Sequence, residues 1–233
     1  MNPRVSNQDL LGIGLYTTSE AALLLGMATQ KLRRWVHGYS YKISSDRRHV
    51  DPLWTSDVLL DDGTPILSFQ DLIEFRFVKA FTDQGIGLKA VRNCLNYARE
   101  CIETDRPFST GRFRTDGQTI FLQSLEKSED GPLIDLRKRQ FVFKAIVEKS
   151  FRDLDLEDDI VTRWRPHRGK DTIVIDPGRS FGQPIAEASG VPTITLAEAV
   201  EAEGSVTRVA RLFEVAPKVV RDAVQYQNGL KAA

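Results

Sequence analysis

The chain has 233 residues, 41% of them hydrophobic, and its 32 Lys and Arg residues equal its 32 Asp and Glu residues. This length allows a buried core and at least two modest domains, and the zero net charge excludes a global electrostatic attraction to nucleic acid or anionic membrane. No apolar run approaches the roughly 18 residues of a membrane span, and the first residues lack a signal-peptide pattern. We therefore expect a cytoplasmic protein without a membrane partner, whose affinity for any charged partner is local.

The first predicted element is a short helix that begins near Thr17. Thr17 and Glu20 have the spacing of a capping box, in which each side chain accepts a hydrogen bond from the other residue's backbone amide. Apolar residues continue to Gly26, which suits the left-handed backbone that ends a helix and allows a tight turn. A second helix is predicted from Ala28. Two short helices joined by a Gly-containing turn form a helix-turn-helix.

The second helix has one apolar side and one basic side. Leu32, Trp35 and Val36 have the i, i+3, i+4 spacing of a buried stripe. On the other side, arginine can fork onto guanine, glutamine can pair with adenine, and further cations can hold phosphates. The candidate DNA-binding residues of this helix are Thr29, Gln30, Lys31, Arg33, Arg34 and His37.

A basic β-hairpin is predicted directly after this helix. Tyr39, Tyr41 and Ile43 alternate with polar residues, and a Ser-Ser-Asp turn precedes a basic strand. Residues 28–50 contain six Lys or Arg and one acid, so positive charge is concentrated here on a neutral chain. The candidate DNA-binding residues of the hairpin, which would form a wing beside the second helix, are Lys42, Arg47 and Arg48.

The middle of the chain is predicted to contain packed helices and a small sheet. Residues 88–102 carry apolar residues at 3-4-3-4 spacing, the seam of a helix that packs along a partner helix. Intramolecular packing and a homodimer contact are both open for this seam. Between residues 108 and 164, short alternating stretches and the Asp116-Gly117 pair predict a small antiparallel sheet, followed by a helix at 144–151 and an acidic turn.

The C-terminal region is predicted to be a helical module. Residues 206–213 and 219–224 carry two apolar stripes, and Pro217 suits the first position of a helix, so a second helix-turn-helix-like pair is expected. Residues 195–231 contain five bases and five acids. Balanced charge is a poor footprint for phosphates, and we therefore expect this module to contact protein.

Two resemblances extend these expectations to fold class and domains. Residues 15–103, with the Y-x-x-x-E-A-A-x-L-L-G core and the L-R-R-W helix, resemble a MerR-like winged-helix module. Residues 166–230, with D-P-x-x-x-F-G-x-P and V-P-T-x-x-L, resemble a domain of unknown function found in VapB-like antitoxins. The expected fold is α+β and mainly helical: a winged helix-turn-helix domain with packing or dimerisation helices over residues 1–105, a central β-rich region over 106–165 with a small antiparallel sheet, and a three-helix partner-binding domain over 166–233.

The resemblance implies a DNA-binding antitoxin of a type II toxin-antitoxin system. Such a protein, a homodimer in this interpretation, would bind operator DNA, repress its own operon and neutralise a cognate toxin, which is a PIN-like nuclease in related systems. Two alternatives stay open: a transcription regulator with a ligand-sensing C-terminal domain, and a protein-interaction module without DNA binding.

The sequence favours neither catalysis nor a cofactor. The three histidines, His37, His49 and His167, lack the spacing of metal ligands, and the phosphate-binding loops and nucleophile elbows of common enzyme families are missing. We therefore expect a protein that is not an enzyme and that holds no cofactor or metal.

Overall fold

A computed structural model describes residues 13–43, 46–56, 58–60, 62–127, 136–167 and 170–232. Their contacts form two compact units, one comprising residues up to Phe69 together with those from Arg165 onward, and the other Gln70–Trp164. The described residues form nine α-helices and several short antiparallel strand pairs, so the predicted α+β, mainly helical class is confirmed.

The N-terminal part of the first unit contains two helices and five short strands. Strand β1 pairs with β5, β5 pairs with β4, and β2 forms a separate hairpin with β3. The elements are β1 (Leu15–Tyr16), α1 (Thr18–Leu25), α2 (Thr29–His37), β2 (Tyr39–Ile43), β3 (Asp46–Val50), β4 (Val58–Leu59) and β5 (Pro65–Ser68).

The second unit contains four helices and one hairpin. Its elements are α3 (Phe69–Asp83), whose first residue belongs to the first unit, α4 (Leu88–Ile102), α5 (Gly111–Glu126), α6 (Leu136–Phe151), β6 (Leu154–Glu157) and β7 (Ile160–Trp164). A 3₁₀ turn, Pro107–Ser109, precedes α5. Four residues of the predicted 3-4-3-4 seam of α4, Val91, Leu95, Ala98 and Ile102, are buried within the chain, which confirms intramolecular packing of the seam. The homodimer stays a prediction.

The C-terminal part of the first unit contains the three helices expected there. Its elements are β8 (Ile173–Ile175), a 3₁₀ turn (Ser180–Gly182), β9 (Pro184–Ala186), α7 (Thr193–Glu203), α8 (Val206–Leu212) and α9 (Pro217–Lys231). Pro217 occupies the start of α9 as predicted. One division between the units falls beside the predicted domain boundary at residue 166, whereas the other falls at Phe69 and not at 105. The functional division into three domains stays a prediction.

The predicted central sheet is largely wrong, because α5 spans the Asp116-Gly117 pair. Phe113, Ile120 and Phe121 are buried, which is the spacing of a helix, and Thr110 caps the first turn by accepting a hydrogen bond from the Phe113 amide at 3.2 Å. A Cβ on Gly117 would lie 3.2 Å from the Phe113 ring. The glycine therefore permits close packing inside a helix and does not form a hairpin turn.

The alternating stretch at residues 139–147, predicted to be a strand, is also helical. Phe143, Val147 and Phe151 are buried one helical turn apart along α6, so the predicted helix at 144–151 is the second half of a longer one. The predicted acidic turn is partly strand: β6 and β7 form an antiparallel hairpin, and the left-handed residues Asp158 and Asp159 turn the chain between them. Among the described residues of 108–164, this hairpin is the part of the predicted sheet that the structure contains, and the alternating stretch at 132–135 lies outside the described residues.

Phenylalanine rings form the core of the second unit. Phe143 stacks on Phe81 at 4.7 Å and on Phe121 at 4.2 Å between ring centroids, while Phe77 lies 4.9 Å from Phe151. Such offset pairs contribute about 0.5–1.5 kcal/mol each beyond the burial of their area. Phe77 and Phe81 belong to α3, and the other rings come from α5 and α6. The wide apolar surface of α3 is therefore covered by several neighbours.

One carboxylate is buried beside this core. Glu74 is fully buried; its Oε1 accepts a hydrogen bond from the Ser109 amide at 2.8 Å, and its Oε2 has no hydrogen-bond partner among the described residues. Burial raises the pKa of Glu74 to about 8. The protonated form is therefore the one that the fold accommodates over most of the neutral range.

We predict that Glu74 makes the second unit less stable as pH rises. The unfolded chain releases this proton near the ordinary pKa of 4.5 and the folded chain near 8, so the stabilisation is complete below 4.5 and is lost up to about 8. In Glu74→Gln this contribution, roughly 5 kcal/mol for a pKa difference of about 3.5, should be missing. Urea denaturation at pH 4.5 and pH 8.5 measures it, and equal losses of unfolding free energy in both proteins would contradict it.

Candidate nucleic-acid interface

Local hydrogen bonds fix the first helix and the turn after it. The Thr17 amide donates to Glu20 Oε2 at 2.8 Å and the Glu20 amide donates to Thr17 Oγ1 at 3.2 Å, which confirms the predicted capping box. Gly26 is left-handed, and the Met27 amide donates to the Ala22 carbonyl at 3.0 Å. This Schellman motif ends α1 and starts α2 three residues later.

Helix α2 has the two sides that the sequence predicts. Leu32, Trp35 and Val36 are buried, whereas the candidate residues are exposed, apart from the partly exposed Thr29. These exposed residues are Gln30, Lys31, Arg33, Arg34 and His37.

Aromatic rings hold two of the α2 cations. The Lys31 ammonium lies 5.2 Å from the Trp35 ring centroid, and the Arg34 guanidinium lies 5.7 Å from the Tyr39 ring centroid. Within the part of the chain that the structure describes, Arg33 makes no hydrogen bond or ion pair. The Arg33 guanidinium is therefore the cation of this face that is available to a partner without breaking a contact.

The register of the hairpin divides its basic residues between two faces. Lys42 lies opposite Arg47, and Ser40 lies opposite His49, with the Ser40 hydroxyl and His49 Nδ1 3.0 Å apart. Side chains alternate along a strand, so these four share one face, whereas Arg48, opposite Tyr41, lies on the other. The structure thus brings Lys42 and Arg47 together and separates Arg48 from them.

The Lys42–Arg47 pair is unfavourable in the absence of an anion. Like charges directly opposite each other in an antiparallel pair are destabilising. Both side chains are exposed, and no acid of the described residues forms an ion pair with either. An anion between the two cations would remove this repulsion.

Gly38 connects α2 to the hairpin. It has φ +70° and ψ −175°, a backbone conformation largely restricted to glycine, and a Cβ there would lie 2.4 Å from the Val50 carbonyl oxygen. Three residues after β3 ends, the Leu53 amide donates to the Trp35 carbonyl at 2.9 Å. These contacts hold the hairpin against the end of α2.

Sequence analysis did not identify Gly38 or Ser40 as residues of this interface. Gly38 follows a basic helix and precedes an alternating stretch, which is a signal for a helix end but not for the close approach to Val50. Ser40 could be placed beside His49 only once the register was known. The interface therefore depends on a glycine and a hydroxyl that the charge pattern does not reveal.

The described residues contain neither a candidate metal cluster nor a candidate membrane span. No group of three or more His, Cys, Asp or Glu side chains in these ranges is placed to hold a metal ion. In the same ranges, no helix is both long and apolar enough to span a bilayer.

Comparisons with known proteins agree with a helix-turn-helix domain. Residues 14–95 match a family model described as "Putative DNA-binding HTH domain". The chain is 26% identical over 223 residues to "Putative antitoxin VapB45" of Mycobacterium tuberculosis, covering 91% of this chain and 93% of that protein. The crystal structure of Rv2018 from Mycobacterium tuberculosis superimposes with a TM-score of 0.72 at 24% identity, covering 92% of this chain and 99% of that one, and shows that the fold is shared.

We predict that Gly38→Ala separates the hairpin from α2. The substitution combines backbone strain with the clash against Val50, and should cost about 3 kcal/mol or more of unfolding free energy. The matched control is Gly63→Ala, because Gly63 has φ +80° but no atom within 4 Å of an added Cβ. That control should cost about 1 kcal/mol. Urea denaturation and hydrogen exchange of the hairpin amides measure the difference, and equal costs would contradict the account.

Proposed function

We propose that this protein is a DNA-binding antitoxin that binds operator DNA, represses its own operon and neutralises a toxin, which we take to be a PIN-like nuclease. The observation that carries the DNA-binding part is the exposed basic face of α2, with Arg33 unpaired among the described residues, next to the Lys42–Arg47 pair. In this proposal the protein acts in the cytoplasm by binding alone, without catalysis or a cofactor.

The chemistry of α2 suits the major groove. Gln30, Arg33 and His37 are spaced i, i+3, i+7 and share one line of the exposed face. Arginine can bind O6 and N7 of guanine in a bidentate manner, and glutamine can pair with adenine. The N-cap residue of α2 is Ala28, with no side-chain hydrogen bond, so the first amides of the helix can donate to a phosphate.

The hairpin would act as a wing in a MerR-like arrangement. Lys42 and Arg47 would hold a phosphate or the edge of the minor groove, and the anion would relieve their mutual repulsion. A homodimer would present two such surfaces to two half-sites of an operator, which is the usual geometry for helix-turn-helix proteins.

The proposed toxin contact lies in the C-terminal module. The relative from Mycobacterium tuberculosis is named as an antitoxin, and its alignment extends over this module. Phe181 is 71% exposed and has a left-handed backbone with φ +55°, which costs about 1–3 kcal/mol for a residue other than glycine. The Tyr16 hydroxyl donates to the neighbouring Gly182 carbonyl at 2.7 Å and holds the loop in place. A rigidly presented aromatic side chain is a common anchor of protein interfaces.

We predict that Arg33→Ala weakens binding to the DNA upstream of the protein's own gene by roughly 10- to 100-fold. Lys144→Ala is the matched control, since Lys144 is an exposed cation on α6 in the other unit, and it should bind within about twofold of the wild type. Fluorescence anisotropy across a salt series, with scrambled DNA as competitor, measures both. Equal weakening by the two substitutions, or no selective binding by the wild type, would overturn the DNA-binding proposal.

We predict that Phe181→Ser weakens binding to the proposed PIN-like nuclease toxin by about 30-fold or more, because it removes the exposed anchor. Ile160→Ser, which changes another exposed apolar residue, 49% exposed in β7, is the control and should leave this affinity unchanged. Isothermal titration calorimetry and inhibition of the nuclease provide two readouts. Selective DNA binding without any nuclease binding would favour a transcription regulator instead.

A further inference from the structure

Helices α8 and α9 repeat the geometry of α1 and α2 position by position. With Thr17 aligned on Ser205, both first helices start at a hydroxyl residue whose side chain accepts a hydrogen bond from the amide three residues later. A left-handed residue follows each first helix at the equivalent position, Gly26 after α1 and Glu214 one residue beyond the cap of α8. The sequence predicts a second helix-turn-helix-like pair here, but not the equivalence of individual positions.

The two turns share their hydrogen bonding, although α8 ends one residue earlier than α1 in this alignment. The Met27 amide donates to the Ala22 carbonyl at 3.0 Å, and the equivalent Val215 amide donates to the Ala210 carbonyl at 2.9 Å. Each second helix has an alanine N-cap without a side-chain hydrogen bond. The second pair is therefore a helix-turn-helix of the same construction as the first.

The equivalence extends to the exposed face of the second helix. Positions that are buried in α2 at Leu32 and Trp35 are buried in α9 at Val220 and Ala223. Three of the five exposed positions of α2 are also exposed in α9. The equivalents of Lys31 and Arg34 are the partly buried Val219 and the buried Asp222. The exposed equivalents pair Gln30 with Lys218, Arg33 with Arg221, and His37 with Gln225. One turn beyond, Asn228 continues this exposed line, and we name Lys218, Arg221, Gln225 and Asn228 the α9 stripe.

The balanced charge count of this module conceals a cationic stripe. Asp222, beside Arg221 in the sequence, is buried and accepts hydrogen bonds from Lys170 at 2.8 Å and Thr172 at 2.9 Å. Burial raises the pKa of Asp222, but these hydrogen bonds outweigh it and hold the pKa below its usual range. The Asp222 charge is thus directed away from the stripe.

Two further acids of the module are engaged with cations outside the stripe. Glu203 accepts a hydrogen bond from Arg208 at 3.1 Å, and Glu201 lies 3.5 Å from Lys231 Nζ. Among the described residues, neither Lys218 nor Arg221 has an ion-pair partner. The α9 stripe therefore presents two free cations and two amides, with no carboxylate among its members.

Both helix-turn-helices belong to the same compact unit. The C-terminal end of α9, at Leu230 and Lys231, lines a cavity of about 380 Å³ together with Leu23 of α1 and Thr29 of α2. The end of α9 is therefore a neighbour of the start of α2.

We propose that the α9 stripe is a second DNA-contacting surface, so that each chain binds duplex DNA through two helix-turn-helices. Lys218 and Arg221 supply charge for phosphates, Arg221 can also fork onto guanine, and the amides of Gln225 and Asn228 can hydrogen-bond base edges. The positive charge of the α9 stripe and the construction that α9 shares with α2 favour DNA over a protein as the partner of this stripe. The Phe181 loop remains available to a protein partner. This inference rests on the proposed operator binding.

The test uses the full-length Lys218→Ala/Arg221→Ala variant in anisotropy titrations on the upstream DNA across a salt series. Removing two phosphate contacts should reduce the slope of log affinity against log salt by about 2 and weaken binding at moderate salt about tenfold or more. Lys144→Ala/Lys149→Ala removes the same charge from exposed positions of α6 and should leave the slope unchanged. A thermal unfolding midpoint equal to that of the wild type shows that the variant is folded.

The outcomes separate this inference from the function on which it rests. If Arg33→Ala weakens binding while the α9 variant has wild-type affinity and slope, the second surface is wrong and the proposed function stands. If the α9 variant loses binding to the proposed nuclease toxin but keeps its DNA affinity, the stripe is a protein contact and the inference is also overturned. A wild-type chain without selective DNA binding would overturn both.

Discussion

The approach of the Gly38 backbone to Val50 is the constraint on which the candidate interface depends. At this point α2 ends, the chain reverses and the hairpin begins, and an added Cβ would lie 2.4 Å from the Val50 carbonyl oxygen. The Leu53 amide closes the same junction from the other side through its hydrogen bond to Trp35. Because two separate contacts fix the hairpin to the helix, the backbone positions that carry the cations of both elements keep a constant spacing. Preorganised cations lose little conformational entropy when they bind an anion.

Local separation of charge gives a neutral chain its proposed affinity for a polyanion. Lys42 and Arg47 repel each other across the hairpin, and Arg33 has no partner among the described residues. In the C-terminal module, the buried Asp222 carboxylate accepts hydrogen bonds from Lys170 and Thr172. Net charge therefore says little about this protein, whereas the pairing of individual charges identifies the surfaces that attract phosphates.

Sequence patterns predicted the elements that local contacts determine. The capping box at Thr17, the left-handed Gly26 and the buried side of α2 involve residues within one or two turns, and each is confirmed. The Asp116-Gly117 hairpin failed because the packing of Gly117 against Phe113 outweighs the turn preference of the dipeptide. The Gly38 junction, the hairpin register and the inward direction of Asp222 could not be predicted, since each depends on residues that only folding brings together.

The central claim is that α2 and the hairpin contact DNA through their exposed basic residues. Amide chemical shifts, followed by NMR during titration with the upstream duplex, test it residue by residue without altering the protein. We expect the largest chemical-shift perturbations at residues 28–38 and 40–49. Any further perturbed residues among the helices of the first unit should lie on α9. Perturbations confined to the second unit, or equal for upstream and scrambled DNA throughout the chain, would contradict the claim.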